Sequence, residues 1–262
     1  MHLQPKKSLG QHFLNSPSAL AKIIETANLK NGEVVLEIGP GTGVLTGALL
    51  KSGVKVIAVE KDDRANVLLR EKFASEIASG NLTVHSADIL ETDRAKMGFE
   101  EGGYAVVANI PYYITGAILE SFLEYGPRPN RMVLLVQKEV ADRIVARNGK
   151  ESILSISVKA FGTPRIAAKV PRGAFNPPPN VDSAILSIED ISDRLFTEKG
   201  LEIRRFFDIV KAGFAHKRKL LISNLKEMDL DKIDQKFAKI YLNPKVRAED
   251  LTLKQWFDLL CE

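Results

Sequence analysis

Cysteine is all but missing from this chain of 262 residues: Cys261 is the only one, so no disulfide can form within it. That excludes a disulfide-stapled scaffold and fits a reducing compartment. No apolar run approaches the roughly 20 residues that a membrane span requires, and the N-terminus lacks the apolar stretch of a secretory signal. The expectation is a cytoplasmic protein with no membrane partner. Internal repeats and low-complexity tracts are absent as well. What remains is ordinary globular material, 45% hydrophobic and 27% charged, enough for one large domain or one large and one small.

The net charge of only +4 hides a segregation along the chain. Residues 31–127 carry 8 basic and 14 acidic side chains, whereas residues 128–175 carry 10 basic and 3 acidic. Charge sorted in this way is what a polyanion-binding face produces once folded. A solvated surface produces it too, so charge alone does not establish nucleic acid as the partner.

Apolar runs alternate with segments of helical period from about residue 17 to 188. Strands are predicted at Val34–Ile38, Val54–Val59, Leu82–His85, Ala105–Ala108 and Met132–Val136, and further ones at Arg165–Val170 and Ala184–Ile188. Helices are predicted from Ser16-Pro17 onward, at Val44–Leu50, Asp62–Ile77 and Ile114–Leu123. This alternation argues for a parallel sheet covered on both faces. Beyond Asp190 the strand signals vanish. Helical segments at Ile203–Phe214, Lys217–Leu225, Asp231–Ile240 and Leu253–Leu260 predict a small helical domain. The expected domains are therefore 1–189, with 1–16 as an N-terminal arm, and 190–262.

Glu37-Ile38-Gly39-Pro40-Gly41-Thr42-Gly43 follows the first strand and opens a helix. Glycines let the backbone turn tightly and approach a ligand closely. The spacing is GxGxG, not the GxGxxG of dinucleotide folds, and no P-loop Lys-Ser/Thr follows. Glu60 ends the second strand, 21 residues after Gly39, where a carboxylate accepts ribose hydroxyls. Asp88, in Ser86-Ala87-Asp88-Ile89, ends the third strand, where an acid can accept from an adenine amino group. Asn109 ends the fourth, in Asn109-Ile110-Pro111-Tyr112. An exocyclic amine on a nucleobase is a poor nucleophile because its lone pair is delocalised into the ring. A site that methylates one needs acceptors for its N–H groups and an aromatic face for the base. Asn109 offers a carbonyl oxygen, Pro111 a rigid turn and Tyr112 a ring. Together these residues favour S-adenosylmethionine over NAD. Taken singly, Glu60 and Asp88 read equally well as helix-capping carboxylates.

The chain resembles the ribosomal RNA adenine N6-dimethyltransferases, and among them the small-subunit branch. The resemblance runs nearly end to end, through Lys7-Ser8-Leu9-Gly10-Gln11-His12-Phe13-Leu14, the Gly39–Gly43 turn, Asn109–Tyr112 and Gln137–Arg143, then Phe175–Ser183 and Phe214-Ala215-His216-Lys217-Arg218-Lys219. It implies an α/β fold, a Rossmann-like S-adenosylmethionine-dependent methyltransferase sheet with a small all-helical C-terminal domain. It also implies cofactor contacts at His12, Leu14, Gly39, Gly41, Glu60, Asp88 and Asn109, although many members have Asn where this chain has His12. The target adenine would meet Asn109, Pro111 and Tyr112, with Phe175 sandwiching the base. S-adenosylhomocysteine would be the product, and no metal is needed because the sulfonium is already activated.

The implied substrate is a pair of adjacent adenosines near the 3′ end of small-subunit RNA in an immature 30S subunit, and the implied state is a monomer. Arg143, Arg147, Lys217, Arg218 and Lys219 are the expected phosphate contacts, with Arg128, Arg131, Lys138 and Lys150 as further candidates. Two rivals share many of these features: a resistance-type methyltransferase of large-subunit RNA, and a non-catalytic ribosome-assembly or nucleic-acid-binding factor. A DNA adenine methyltransferase fits less well, because no separate target-recognition domain is evident.

Overall fold

The computed structural model describes residues 3–6, 9–226, 228 and 233–261. Lys7 and Ser8 of the arm motif, and Asp231 at the head of the helix predicted over 231–240, lie outside the described residues. In chain order the elements are β1 (Phe13–Leu14), α1 (Pro17–Ala27), β2 (Val34–Ile38), α2 (Val44–Lys51), β3 (Lys55–Glu60), α3 (Asp63–Lys72), α4 (Ala74–Ala78), β4 (Leu82–Ser86), β5 (Ala105–Asn109), α5 (Thr115–Glu124), β6 (Arg131–Gln137), α6 (Lys138–Ile144), α7 (Ile153–Lys159), β7 (Thr163–Val170), β8 (Phe175–Asn176), β9 (Ser183–Glu189), α8 (Arg194–Lys199), α9 (Ile203–Gly213), α10 (Leu221–Asn224), α11 (Ile233–Lys239) and α12 (Leu253–Leu260). Among the described residues, no helix is long and apolar enough to cross a membrane.

The chain divides into two compact units, residues 1–141 with 163–191, and residues 142–162 with 192–262. The first is built on a seven-stranded sheet of order β4-β3-β2-β5-β6-β9-β7. Its first five strands are parallel, β9 alone runs antiparallel to them, and β7, antiparallel to β9, points the same way as the first five. The parallel strands are buried on both faces, which is why Val35-Leu36 and Met132-Val133-Leu134-Leu135-Val136 appear in sequence as unbroken apolar runs.

The chain winds outward from β2 through β3 to β4, then returns to the other side of β2 as β5. The ladder between β2 and β5 runs through Val35–Ala105 and Leu36–Val106 and stops there. By contrast, β2 stays paired with β3 to Ile38–Val59, and β5 with β6 to Asn109–Leu135. A crevice therefore opens at the carboxyl ends of β2 and β5, where open α/β sheets bind ligands. A separate two-stranded ribbon, β1 with β8, joins the arm to the segment before β9.

The single helix predicted over 62–77 is broken at Phe73 (φ −118°, ψ 32°), dividing it into α3 and α4. The break lets the Phe73 ring pack against Gly43: a Cβ on that glycine would stand 2.6 Å from it. Gly43 is the N-cap of α2 with φ +72°, so it is excluded from side chains both by conformation and by space.

The second unit holds an aromatic core. Phe161, Phe196, Phe206, Phe207 and Phe257 pack ring on ring, and Trp256 stacks on Phe214. Sequence reasoning assigns residues 142–162 to the first domain and does not anticipate α6 or α7. The structure groups 142–162 with the second unit, since Phe161 belongs to this cluster and Glu151 N–H donates to the Glu249 carbonyl. The helix predicted over 217–225 shrinks to α10. Residues 215–220 are exposed and offer no apolar face to dock, and Asn224 Nδ2 instead closes the loop on the carbonyls of Gly213 and His216. Lys217, Arg218 and Lys219 thus lie on a turn, not a helix.

Gly213 sits in α9 against Trp256, where a Cβ would stand 2.5 Å from the indole. Helix propensity favours Ala over Gly by about 1 kcal/mol, but overpacking opposes it by about 1–3 kcal/mol. The substitution Gly213→Ala is expected to lower the urea midpoint of unfolding followed by the fluorescence of Trp256, the only tryptophan.

Candidate active site

The crevice is lined by the arm and by the carboxyl ends of β2, β3, β4 and β5. Gly39, with φ +64°, faces open space: a Cβ placed there would have no protein atom within 4 Å. The glycine leaves a volume free for a ligand to meet bare backbone. Gly41 is the reverse case. At φ +55° its missing Cβ would stand 2.9 Å from the Phe13 ring, so the glycine lets the arm lie on the turn.

Glu60 closes β3 with its side chain almost wholly buried. Its Oε2 accepts Gly41 N–H at 3.0 Å, and its Oε1 accepts Asp62 N–H at 2.8 Å. Burial raises its pKa, opposed by these two backbone N–H groups. A carboxylate has about four lone-pair sites, so two remain to accept hydroxyls. Asp62 in turn gathers the Arg64 guanidinium (2.6 Å and 3.0 Å) and Gln11 Nε2 (3.1 Å). The Arg64 hydrogen bond and Gln11 hold its carboxyl down at about 2. Arg64 also donates to the Gln4 carbonyl, so this one acid ties down two points of the arm.

Asp88 accepts Lys61 Nζ at 2.6 Å on Oδ2 and Leu90 N–H at 3.0 Å on Oδ1. The Lys61 ammonium holds its carboxyl below the usual range. Glu37, on β2 behind the glycine turn, is fully buried. Burial pushes its carboxyl up to about 8, with the Glu60 charge adding to the shift and Thr46 opposing it.

Asn109 ends β5, and its Nδ2 donates to the His12 carbonyl at 3.0 Å. With that donor committed, Oδ1 is the atom free to accept. Pro111 leads into a 3-10 turn, Tyr112–Ile114. The Tyr112 hydroxyl lies 2.6 Å from Ser183 Oγ, and burial raises its pKa. The His12 ring is stacked on Tyr112, with centroids 5.9 Å apart and planes at 23°.

The structure therefore gathers His12, Gly39, Gly41, Glu60, Asp88, Asn109, Pro111 and Tyr112 around one crevice. Two expected residues fall outside its lining. Leu14 is buried in the apolar core, and its neighbour Phe13 lines the crevice instead, because β1 alternates its side chains. Phe175, the register partner of Leu14, is only 3% exposed in the same core. In this arrangement Phe175 packs the arm ribbon onto the sheet.

Several expected phosphate contacts are engaged elsewhere. Arg128 is buried, donating to the Leu123 carbonyl and Glu101, and Arg131 pairs with Glu33 at 2.7 Å. Lys150 is ion-paired with Glu249 and Asp250. In the second unit Arg147 pairs with Asp142 at 3.2 Å but is 68% exposed, and Lys217, Arg218 and Lys219 are exposed. Sequence reasoning missed Gln11, Asp62 and Ser183. The doubled acid Asp62-Asp63, one residue beyond a strand-ending glutamate, was the one visible signal.

Comparison with known proteins agrees with this geometry. The family described as "Ribosomal RNA adenine dimethylase" matches residues 2–262. A protein of Dehalococcoides mccartyi named "Ribosomal RNA small subunit methyltransferase A" is 40% identical over 262 residues, covering 99% of this chain and 88% of that protein. Among solved structures, a dimethyladenosine transferase from Plasmodium falciparum superposes with a TM-score of 0.78 at 29% identity, covering 95% of this chain and 96% of that one. The 23S rRNA methyltransferase ErmE superposes with a TM-score of 0.74 at 28% identity, covering 94% and 97%.

The buried Glu37 predicts a pH dependence. Its folded pKa lies above the unfolded value of 4.5, so between pH 4.5 and about 8 the native state binds a proton that the unfolded state has lost. Stability contributed by this group is thus present below the unfolded pKa and falls as pH rises. Glu37→Gln, which keeps a neutral side chain, is expected to raise Tm relative to the parent at pH 8 and by much less at pH 5, as read by thermal melts at both values.

Proposed function

The chain belongs to the ribosomal RNA adenine dimethylase family, and from that premise we propose that it dimethylates N6 of two adjacent adenosines in a 3′-terminal hairpin loop of small-subunit ribosomal RNA, during assembly of the 30S subunit. It is an S-adenosylmethionine-dependent methyltransferase with an α/β, Rossmann-like sheet. The observation that carries the reading is the Asn109 amide, its donor taken by His12, beside Tyr112 in the same crevice as Gly39, Glu60 and Asp88.

The crevice fits the cofactor: open space before Gly39, a buried carboxylate with lone pairs to spare at Glu60, and an acid at Asp88 that already holds an amine. When bound, S-adenosylmethionine supplies an activated methyl group. The protein's part is positioning. Asn109 Oδ1 and the Ile110 carbonyl accept the two N6–H groups, which returns electron density to the nitrogen and orients its lone pair. Tyr112 stacks the base, which is extruded at low cost from a single-stranded loop. Holding the two reactants in line supplies most of the acceleration.

Arg143, Arg147, Lys217, Arg218 and Lys219 contact RNA phosphates in this reading, and the protein works as a cytoplasmic monomer. A second reading, methylation of large-subunit RNA, is kept by the likeness to ErmE. The small-subunit reading is favoured by the relative that is 40% identical.

Transfer of labelled methyl groups to undermethylated 30S subunits, with 50S subunits in parallel, tests both. Label on N6 of 30S adenosines is expected, and Asn109→Ala is expected to reduce it by about 100-fold or more, as loss of a positioning group can. Label on 50S alone would overturn the small-subunit assignment. If the cationic turn meets phosphates, replacing Lys217, Arg218 and Lys219 together by Ala is expected to weaken RNA binding and lower the slope of log K against log salt by about 2, measured by titration at several salt concentrations.

A further inference from the structure

We propose that His12 is a positioning residue for the transfer step, holding the Asn109 amide and the Tyr112 ring in the attitude the target base requires. The inference rests on the function proposed above and goes beyond a cofactor contact at this position.

Three contacts made by the one residue carry it. The His12 carbonyl accepts from Asn109 Nδ2 at 3.0 Å. Its ring lies offset and near-parallel against that of Tyr112, with centroids 5.9 Å apart and planes at 23°. Its Nδ1 lies 2.8 Å from the Pro177 carbonyl, and since a carbonyl only accepts, Nδ1 carries the proton. The backbone on either side is anchored as well. Phe13 pairs with Asn176, Leu14 pairs with Phe175, and Asn15 N–H donates to the Ala174 carbonyl at 2.9 Å. His12 is thus clamped between the Asn109–Tyr112 turn and the Asn176–Pro177 turn, which lie more than 60 residues apart in the chain.

The chemistry explains why such a clamp matters. A primary amide has two ends of similar shape and opposite polarity. With Oδ1 toward the incoming amine, Asn109 accepts a hydrogen bond. Rotated by half a turn, it presents N–H to N–H and repels the same group. The His12 carbonyl selects the first attitude by occupying the donor end. The imidazole abuts the Tyr112 ring, while Ser183 Oγ, 2.6 Å away, holds its hydroxyl. Together these two contacts fix the plane of the Tyr112 ring on which the adenine stacks. Through Nδ1 and Pro177 the imidazole also keeps the backbone carbonyl aimed at Asn109, so substitutions of the side chain reach the amide through the main chain.

Three variants separate the parts. His12→Leu removes both the donor and the aromatic face, His12→Phe keeps the face, and His12→Gln keeps a donor. Three measurements are made on each: the equilibrium Kd for S-adenosylhomocysteine without RNA, the single-turnover rate on 30S subunits at saturating cofactor, and the hydrogen exchange of the Asn109 side-chain amide by NMR. The amide resonance is assigned with Asn109→Asp, and far-UV circular dichroism checks the fold of each variant. In His12→Leu the single-turnover rate is expected to fall about tenfold or more while Kd changes by less than about threefold, in keeping with the cost of a misplaced catalytic group. Amide exchange is expected to accelerate in parallel, and His12→Phe and His12→Gln are each expected to recover part of the rate.

A Kd that rises tenfold with the saturating rate unchanged would make His12 a cofactor ligand and overturn the proposal. An Asn109 amide that exchanges equally in parent and variants would overturn it too. That second readout needs no substrate, so it stands even if the parent protein transfers methyl groups to neither subunit, a result that would defeat the proposed function alone.

Discussion

The carboxylate of Glu60 accepts the amide of Gly41 with one oxygen and that of Asp62 with the other. These two bonds join the glycine turn after β2 to the start of α3, which are far apart in sequence and adjacent only because β2 and β3 pair in parallel. From Asp62 the linkage passes to Arg64 and Gln11, and so to the arm. From the arm it passes through His12 to Asn109 and Tyr112. Each link makes use of a bond that a buried polar group must form in any case, since an unpaired one costs about 1–3 kcal/mol. Removing Glu60 would therefore free backbone N–H groups at both ends, and the disturbance would reach the chemistry through the arm.

The sheet was legible in the sequence for a simple reason. Strands buried on both faces must be apolar throughout, so Val35-Leu36, Val106-Val107 and Met132–Val136 stand out without any knowledge of their neighbours. Glu60 and Asn109 were legible because a polar residue ending such a run lies at the carboxyl edge of the sheet, whereas Asp88 falls two residues beyond Ser86, the last of β4. The rest depended on pairings that no local pattern carries. That Phe175, beside a proline-rich turn, packs in the core depends on the β1–β8 ribbon, which no local pattern shows. Phe13 lines the crevice while Leu14 turns into the core, an alternation that a two-residue strand does not show in sequence. The assignment of 142–162 to the second unit rests on Phe161 meeting rings at 196 and 207.

Charge misled in a related way. The run from 128 to 175 is strongly basic, yet Arg128, Arg131 and Lys150 answer to Glu101, Glu33 and the Glu249–Asp250 pair. A count along the chain cannot see partners that lie 27 to 100 residues away. Their guanidinium and ammonium groups are structural cations, and what is left for a polyanion is a smaller exposed set.

The ion pair between Lys61 and Asp88 changes how ligand recognition at that end of the crevice should be understood. An amine that reaches Asp88 meets a carboxylate that already holds an ammonium and a backbone N–H, with about two of its four lone-pair sites left. It shares an acceptor whose charge Lys61 already answers, so the contact adds little grip by itself. Firm binding then needs an occupant that also reaches Glu60 and the bare backbone at Gly39. Selectivity then arises from the span of the ligand, more than from the strength of any single bond.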